Sequence, residues 1–150
     1  MGTPPPRSRA QRKADTLARL ESSEDAWIAS ADADGEAYIT PLSYVWDGTT
    51  FLMATVESGL TGRNLAARDR VRFAIGETRD VIIVEGTVET FTLATVPNDL
   101  ADAFAAKLWD ARRDPKPPVY FRITPQRIQA WREVNELTGR LLMREGAWLV

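Results

Sequence analysis

The sequence predicts a mainly β domain, a β-barrel with peripheral helices. Runs rich in aromatic and β-branched residues recur at short, even spacing, and Asp-Gly pairs that favour tight hairpin turns separate several of them. One run, residues 81–91, is continuously apolar at first and alternates beyond Gly86. This change is expected of a strand that bends to close a barrel. Six or more such strands therefore indicate a barrel.

The length of 150 residues suits a single domain. We assign residues 10–150 to this domain and residues 1–9, which are rich in proline and arginine, to a disordered N-terminal tail. No apolar run approaches the ~20 residues that span a bilayer, and the N-terminus lacks the apolar core of a signal peptide. We therefore expect a cytoplasmic protein.

The composition excludes several kinds of chemistry. The chain has no cysteine and no histidine, which removes thiolate nucleophiles, the serine–histidine–acid triad and the usual ligands of catalytic zinc. No persuasive acid–base carboxylate pair and no metal site emerge from the spacing of the acidic residues. The net charge of −2 argues against nucleic-acid binding. If the protein is an enzyme, a bound cofactor is expected to carry the chemistry.

The predicted elements begin with an amphipathic helix and three antiparallel strands joined by turns at Asp34-Gly35 and Asp47-Gly48. A short helix, two strands and a longer helix follow, the last with Thr95 as its expected cap. Pro125 is expected to break the next strand, and the chain should end in a hairpin that turns at Glu145-Gly146. The predicted bounds are helices 8–20, 61–67 and 97–109, strands 26–30, 37–46, 50–56, 70–75, 81–91 and 119–123, and an extended segment 127–132.

A proline interrupts the second predicted strand. Because Pro41 has no N–H to donate to a neighbouring strand, this point should be a sheet edge or a bulge. Backbone groups that are free there are available to a ligand.

The stretch Thr55–Leu65, TVESGLTGRNL, is a turn with the chemistry of an anion site. Hydroxyl and amide donors, two glycines and one guanidinium occur together, and a helix that starts near Thr61 would point its free N–H groups at the same place. The alternative is that Thr61 caps the helix and Arg63 is a solvated charge. The turn alone does not decide between these interpretations.

Trp131 and Arg132 form a second ambiguous group. An aromatic side chain beside an arginine can stack on a flat ligand ring, whereas a tryptophan near a strand end is often part of the core. Both interpretations remain open on the sequence.

Taken together, these segments resemble the pyridoxamine 5′-phosphate oxidase-like, FMN-binding split-barrel superfamily, which includes deazaflavin-dependent branches. The resemblance rests on the opening hairpin AWIASADADGEAYITPLSYVWDG, on TTFLMATVESGLTGRNLAARDRVRFAI, on VIIVEGTVE and on YFRITPQRIQAW. It implies a six-stranded antiparallel split barrel that forms a homodimer. It also implies FMN, or alternatively the deazaflavin coenzyme F-420, in a groove shared between the subunits.

The resemblance also implies which residues bind the cofactor. Residues of the proline-interrupted strand would lie along the ring, those of the turn would surround the phosphate, and two residues of the C-terminal strand would approach the cofactor, as part of the partner subunit in one arrangement. In that order they are Thr40, Pro41, Leu42 and Ser43; Thr55, Ser58, Thr61, Arg63 and Asn64; and Trp131 and Arg132.

Two departures from the family pattern matter. Many relatives have a lysine where Thr61 stands, so only Arg63 remains as a cationic contact to the phosphate. The arginine- and histidine-containing motif that holds the substrate phosphate in true pyridoxamine phosphate oxidases is not recognisable, and we do not predict that activity.

Three functions remain open. The first is a flavin- or deazaflavin-dependent oxidoreductase that transfers hydride to or from an unidentified small substrate. The second is a cofactor-binding carrier, store or sensor without turnover, and the third is a structural dimer that has lost its cofactor. The five tryptophans exceed what so small a barrel needs for its own core, which supports a dimer independently of the resemblance.

Overall fold

The structure, a computed structural model, describes residues 2–150, so Met1 of the predicted tail lies outside the described part. Residues 2–150 form eight strands, three α-helices and two short 3₁₀ turns at Ala111–Arg113 and Val134–Glu136. In chain order they are α1 Arg9–Ser22, β1 Asp25–Ala31, β2 Ala37–Trp46, β3 Phe51–Val56, α2 Leu60–Ala66, β4 Arg70–Glu77, β5 Asp80–Thr92, α3 Asn98–Lys107, β6 Pro118–Trp131, β7 Leu141–Arg144 and β8 Ala147–Trp148.

The strands form one antiparallel sheet in the order β3-β2-β1-β4-β5-β6-β7-β8, and a further pairing of β3 with β6 closes the first six into a barrel. The β7–β8 hairpin lies outside this closed part. The predicted mainly β class and the six-stranded antiparallel barrel are therefore confirmed.

The hairpin turns follow from local sequence chemistry. Gly35 and Gly48 have φ of 79° and 97°, a region that glycine enters without a Cβ penalty. Asp47 Oδ1 accepts hydrogen bonds from the backbone N–H groups of Thr49 and Thr50 at 2.8 and 2.6 Å, as turn aspartates commonly do. The last hairpin turns at Glu145 and Gly146, both with positive φ, as predicted.

Strand β6 carries a bulge opposite Glu85 and Gly86 of β5. The register shifts between Glu85 and Gly86, which pair with Arg127 and Pro125, so Gln126 is the extra residue. A Cβ atom at Gly86 would lie 2.6 Å from Ile123 Cγ2, which explains the glycine. The predicted break at Pro125 is wrong, because β6 runs on from Pro118 to Trp131 and the bulge accommodates a proline.

The barrel interior holds the larger of two apolar clusters. Phe51 lies at its centre and makes edge-on contacts with the rings of Tyr44 and Phe73 at centroid distances of 5.5 and 4.9 Å. Helix α1 contributes Leu20, whose carbonyl accepts a hydrogen bond from the Tyr44 hydroxyl at 2.9 Å. Helix α3 packs a second cluster, including Phe104 and Tyr120, on the outside of the barrel.

Two local predictions need correction. Pro97, not Thr95, precedes the first turn of α3, and the Thr95 hydroxyl instead accepts a hydrogen bond from the backbone N–H of Thr92. Arg7, which belongs to the predicted disordered tail, is ordered, because its guanidinium is bound to Glu136, Asp15 and Asp80. Among residues 2–150, no helix is long and apolar enough to cross a membrane.

Candidate functional site

A split in the barrel wall lies between β2 and β3. The two strands pair only over Tyr44–Trp46 and Phe51–Met53, whereas Ala54–Val56 of β3 pair with β6 on the opposite edge. Within the described chain, residues 37–43 of β2 pair with β1 alone. The free backbone edge that Pro41 predicts is therefore present.

The four predicted ring-contacting residues of β2 alternate between two faces. Thr40 and Leu42 lie opposite the buried residues Ile28 and Ala26, and Leu42 packs against the barrel core. Pro41 and Ser43 lie opposite Trp27 and Asp25 on the outer face. The Ser43 hydroxyl donates to Asp25 Oδ1 at 2.6 Å, so Pro41 is the more exposed of this outer pair.

The turn between β3 and α2 is tightly folded. Gly59 N donates to the Val56 carbonyl at 3.1 Å and Glu57 N donates to the Pro117 carbonyl at 3.0 Å. A Cβ atom at Gly62 would overlap the Val56 carbonyl oxygen and lie 3.0 Å from that of Glu57. Glycine at position 62 is thus needed for α2 to pack on the turn that carries Ser58.

Ser58 and Arg63 share a surface depression of about 310 Å³ with Glu57 and Pro117. Both side chains are exposed, and within residues 2–150 the Arg63 guanidinium has no carboxylate within 4.0 Å. An unpaired guanidinium beside a hydroxyl is suited to binding a phosphate. The structure therefore brings together two of the five predicted phosphate contacts.

The other three predicted phosphate contacts do not line this depression. Helix α2 begins at Leu60 with Gly59 as its cap, so Thr61 is not the cap and is instead buried, with 5% of its surface exposed. Asn64 is also buried and donates to Ser30 Oγ at 3.2 Å. Thr55 is half-buried on β3.

Trp131 and Arg132 lie at the far end of β6. Pro118, at its near end, pairs with Val56, and thirteen steps of about 3.3 Å along the strand lead from Pro118 to Trp131. Arg132 donates to the Pro5 carbonyl at 3.1 Å, and the Arg140 guanidinium lies 5.9 Å from the centre of the Trp131 ring. Within one chain, these two residues are not assembled with the turn.

A second and larger cavity, of about 430 Å³, was not predicted. Ser30, Asn64 and Gln126 line it together with the arginines 68, 70 and 72. Of its lining residues, Asn64 alone is among the predicted cofactor contacts. Gln126 reaches the cavity because it is the extra residue of the bulge opposite Gly86. Apart from the neighbouring Pro125, nothing in the sequence around position 126 indicates this bulge.

Residues 13–132 match the family model described as pyridoxamine 5′-phosphate oxidase, which covers most of the chain and includes both the split and the turn. The chain belongs to the pyridoxamine 5′-phosphate oxidase family. No curated protein sequence matches it. The family's name describes its founding activity and does not by itself give this member's substrate.

Solved structures of this family share the fold at low sequence identity. General stress protein 26 from Bacillus anthracis is 16% identical over 81% of this chain and 93% of its own, with a TM-score of 0.62. An F-420 reductase is 22% identical over 74% and 93%, with a TM-score of 0.57. HutZ, a heme storage protein from Vibrio cholerae, is 9% identical over 83% and 98%, with a TM-score of 0.66. At these identities the likeness concerns the fold.

Proposed function

We propose that this family member binds FMN at the split between β2 and β3 and acts as an oxidoreductase on a small substrate. The observation that carries the proposal is the free edge of residues 37–43 next to the exposed pair Ser58 and Arg63. Backbone N–H and C=O groups along that edge can hydrogen-bond a planar ring, and the pair can hold a phosphate. The residues present thus fit a phosphorylated ring cofactor.

The composition agrees with cofactor-based chemistry. Without histidine or cysteine, the chain lacks the commonest general base and the commonest strong nucleophile. The chemistry that a bound flavin supplies is hydride transfer to or from a substrate carbon. The protein then contributes position, exclusion of water and hydrogen bonds along the β2 edge.

Two alternatives are supported by particular relatives. The F-420 reductase among the structural relatives supports a deazaflavin-dependent reductase, and the heme storage protein HutZ supports a carrier or sensor without turnover. Visible absorption of the purified protein, followed by parallel titrations with FMN and coenzyme F-420, separates these proposals. Saturable binding of one coenzyme identifies that coenzyme as the cofactor. Tight binding without turnover of any screened substrate favours the carrier. Binding of neither coenzyme favours a structural dimer.

Replacing Arg63 with alanine should weaken FMN binding by about 1.5–3 kcal/mol, because one charge-assisted contact to the phosphate is lost. Fluorescence titration measures the change in Kd. Arg113→Ala is the matched control, since it removes another exposed arginine, 88% accessible, that does not line the depression. Unchanged affinity in Arg63→Ala, or an equal loss in the control, would place the phosphate elsewhere.

We also propose a homodimer with the cofactor groove at its interface. Trp27 and Ile39 are 52% and 62% exposed on the outer face of β1 and β2, beside Pro41. A surface of this kind on a small domain favours a protein contact. A two-fold related copy would cover the surface of Trp27 and Ile39. In such a dimer, Trp131 and Arg132 of one subunit can approach the split between β2 and β3 of the other subunit. Within a single chain they do not reach it.

Trp27→Glu should convert the dimer to a monomer at micromolar concentration, because a buried unpaired carboxylate opposes association. Sedimentation velocity measures the mass of each variant. Leu93→Glu places the same charge on an exposed apolar position, 45% accessible, that lies outside β1, β2 and the segment of Trp131 and Arg132, and it should leave the mass unchanged. A parent protein that sediments as a monomer contradicts the shared groove.

A further inference from the structure

The cavity of about 430 Å³ shares no lining residue with the Ser58–Arg63 depression. The C-terminal parts of β1 and α2, the start of β4 and the β5–β6 bulge surround it. Asn64 and Leu65 of α2 face this cavity, whereas Arg63 faces the other depression. The two sites are therefore separate within the chain.

The charge of the cavity wall is unbalanced. Three arginines, 68, 70 and 72, line it with a single carboxylate, that of Glu85. Glu85 already pairs with Arg72 at 2.6 Å and with Arg127 at 3.4 Å. Its negative charge is therefore not available to Arg68 or Arg70.

Arg68 and Arg70 have no carboxylate within 4.0 Å in residues 2–150. Arg68 donates to the carbonyls of Asp32 and Ala67 at 3.1 and 3.3 Å, which orients its guanidinium at the cavity rim. The Asp32 carboxylate instead accepts the backbone N–H groups of residues 34 and 36 within its own turn. Two positive charges therefore face the cavity without counter-charge.

The remaining wall combines apolar and neutral polar groups. Leu65 and Val71 are buried apolar residues at its base, and Ala29 and Ala31 leave space beside them. The Asn64 amide is bonded to Ser30 Oγ and stands on this apolar wall. A cavity with an apolar base, neutral hydrogen-bonding groups and a cationic rim suits a small organic molecule that carries a dianion.

The bulge is what opens this wall. A Cβ atom at Gly86 would lie 2.7 Å from the Thr124 carbonyl oxygen, so the close approach of β5 and β6 at this point requires glycine. The extra residue of the bulge, Gln126, contributes its side chain to the cavity. The bulge therefore supplies part of the cavity wall.

We infer that this cavity is a second ligand site, which binds a small phosphomonoester independently of the proposed cofactor. Arg68 and Arg70 hold the phosphate, and Leu65, Val71 and the two alanines contact the organic part. The inference does not rest on the proposed function, because none of its charged contacts belongs to the Ser58–Arg63 depression.

The test uses the full chain and phenyl phosphate as the probe, with phenol, succinate and inorganic phosphate for comparison. Two-dimensional NMR should show saturable shifts of the Ser30, Asn64 and Gly86 amides with phenyl phosphate and none with phenol. Arg68→Ala/Arg70→Ala should weaken binding at least about tenfold, whereas Arg113→Ala should leave it unchanged. Ala31→Leu fills the space without removing charge and should also weaken binding.

Four outcomes overturn the inference. They are an absence of shifts at these amides, an equal loss of affinity in Arg113→Ala, succinate binding as tightly as phenyl phosphate, and loss of FMN binding in the double variant. The last would assign this cavity to the cofactor and remove the separate site. Amide spectra of each variant report whether it is folded. If the double variant does not fold, Ala31→Leu still tests the site, because it fills the cavity without removing charge.

Discussion

Replacing Glu136 with alanine should lower the free energy of unfolding by about 3–5 kcal/mol, the cost of breaking a buried ion pair. Glu136 is fully buried and accepts three hydrogen bonds from Arg7: from its backbone N–H at 2.9 Å, from Nε at 3.0 Å and from Nη2 at 2.8 Å. It accepts a fourth from the backbone N–H of Arg132 at 2.8 Å, and Arg12 Nε lies 3.7 Å away. Alanine leaves these groups without their acceptor.

The same contacts give stability a particular pH dependence. Hydrogen bonding to Arg7 lowers the pKa of Glu136 from 4.5 to about 2, against the opposing effect of burial. Because the pKa of the folded state is the lower one, the stabilisation is fully present above about pH 4.5 and is lost as the pH falls towards 2. A shift of this size corresponds to about 3 kcal/mol.

Urea denaturation of the parent, of Glu136→Ala and of Glu136→Gln between pH 2 and 7 measures both effects. The stability difference between the parent and Glu136→Gln should shrink as the pH falls below about 4.5. Glu133→Gln is the matched control, because the partner of Glu133, Arg79, is 81% exposed, and the loss should stay within about 0.5 kcal/mol. A pH-independent difference for Glu136→Gln would mean that shape, and not charge, makes the residue important.

This cluster was beyond the reach of sequence reasoning because its members are far apart in the chain. Arg7 and Glu136 are separated by 129 positions, and nothing local to either residue indicates the other. From the sequence alone, Arg7 is therefore assigned to a disordered tail. A proline-rich segment is ordered here by a buried carboxylate, whose position depends on the end of β6 and the 3₁₀ turn after it.

The hairpins were predictable because their causes are local. Asp47 bonds the backbone of the next residues, and Gly35 and Gly48 supply the positive φ of the turns, so each signal lies within a few positions of its effect. The continuity of β6 was not predictable from Pro125 alone. It depends on the bulge opposite Gly86, about forty positions earlier in the chain.

The candidate site was predicted in outline and not in detail. The free edge at Pro41 and the presence of Ser58 and Arg63 in one depression follow from residue chemistry that the sequence displays. The directions of Thr61 and Asn64 depend on where α2 begins. Its start at Leu60 buries Thr61 and turns Asn64 towards Ser30, and so divides the predicted donors between two sites.

Gly62→Ala should destabilise the fold by about 3 kcal/mol, the upper end of the usual cost of overpacking. Helix propensity alone predicts the opposite, since alanine in a helix is favoured over glycine by about 1 kcal/mol. Steric overlap should win, because the two nearest atoms that a Cβ at position 62 would meet are backbone carbonyl oxygens, those of Val56 and Glu57. Neither can move without displacing β3 or the turn.

Gly59→Ala is the matched control, three positions earlier in the same turn. Its φ of −76° suits any residue, and a Cβ there would lie 3.3 Å from the same Val56 carbonyl, a contact that a small shift relieves. Thermal unfolding should therefore show a large loss for Gly62→Ala and a small one for Gly59→Ala. Because Ser58 lies on the displaced turn, FMN affinity should fall in the first variant and persist in the second. Equal stability of the two variants would contradict the packing of α2 on this turn, and with it the geometry on which the phosphate site depends.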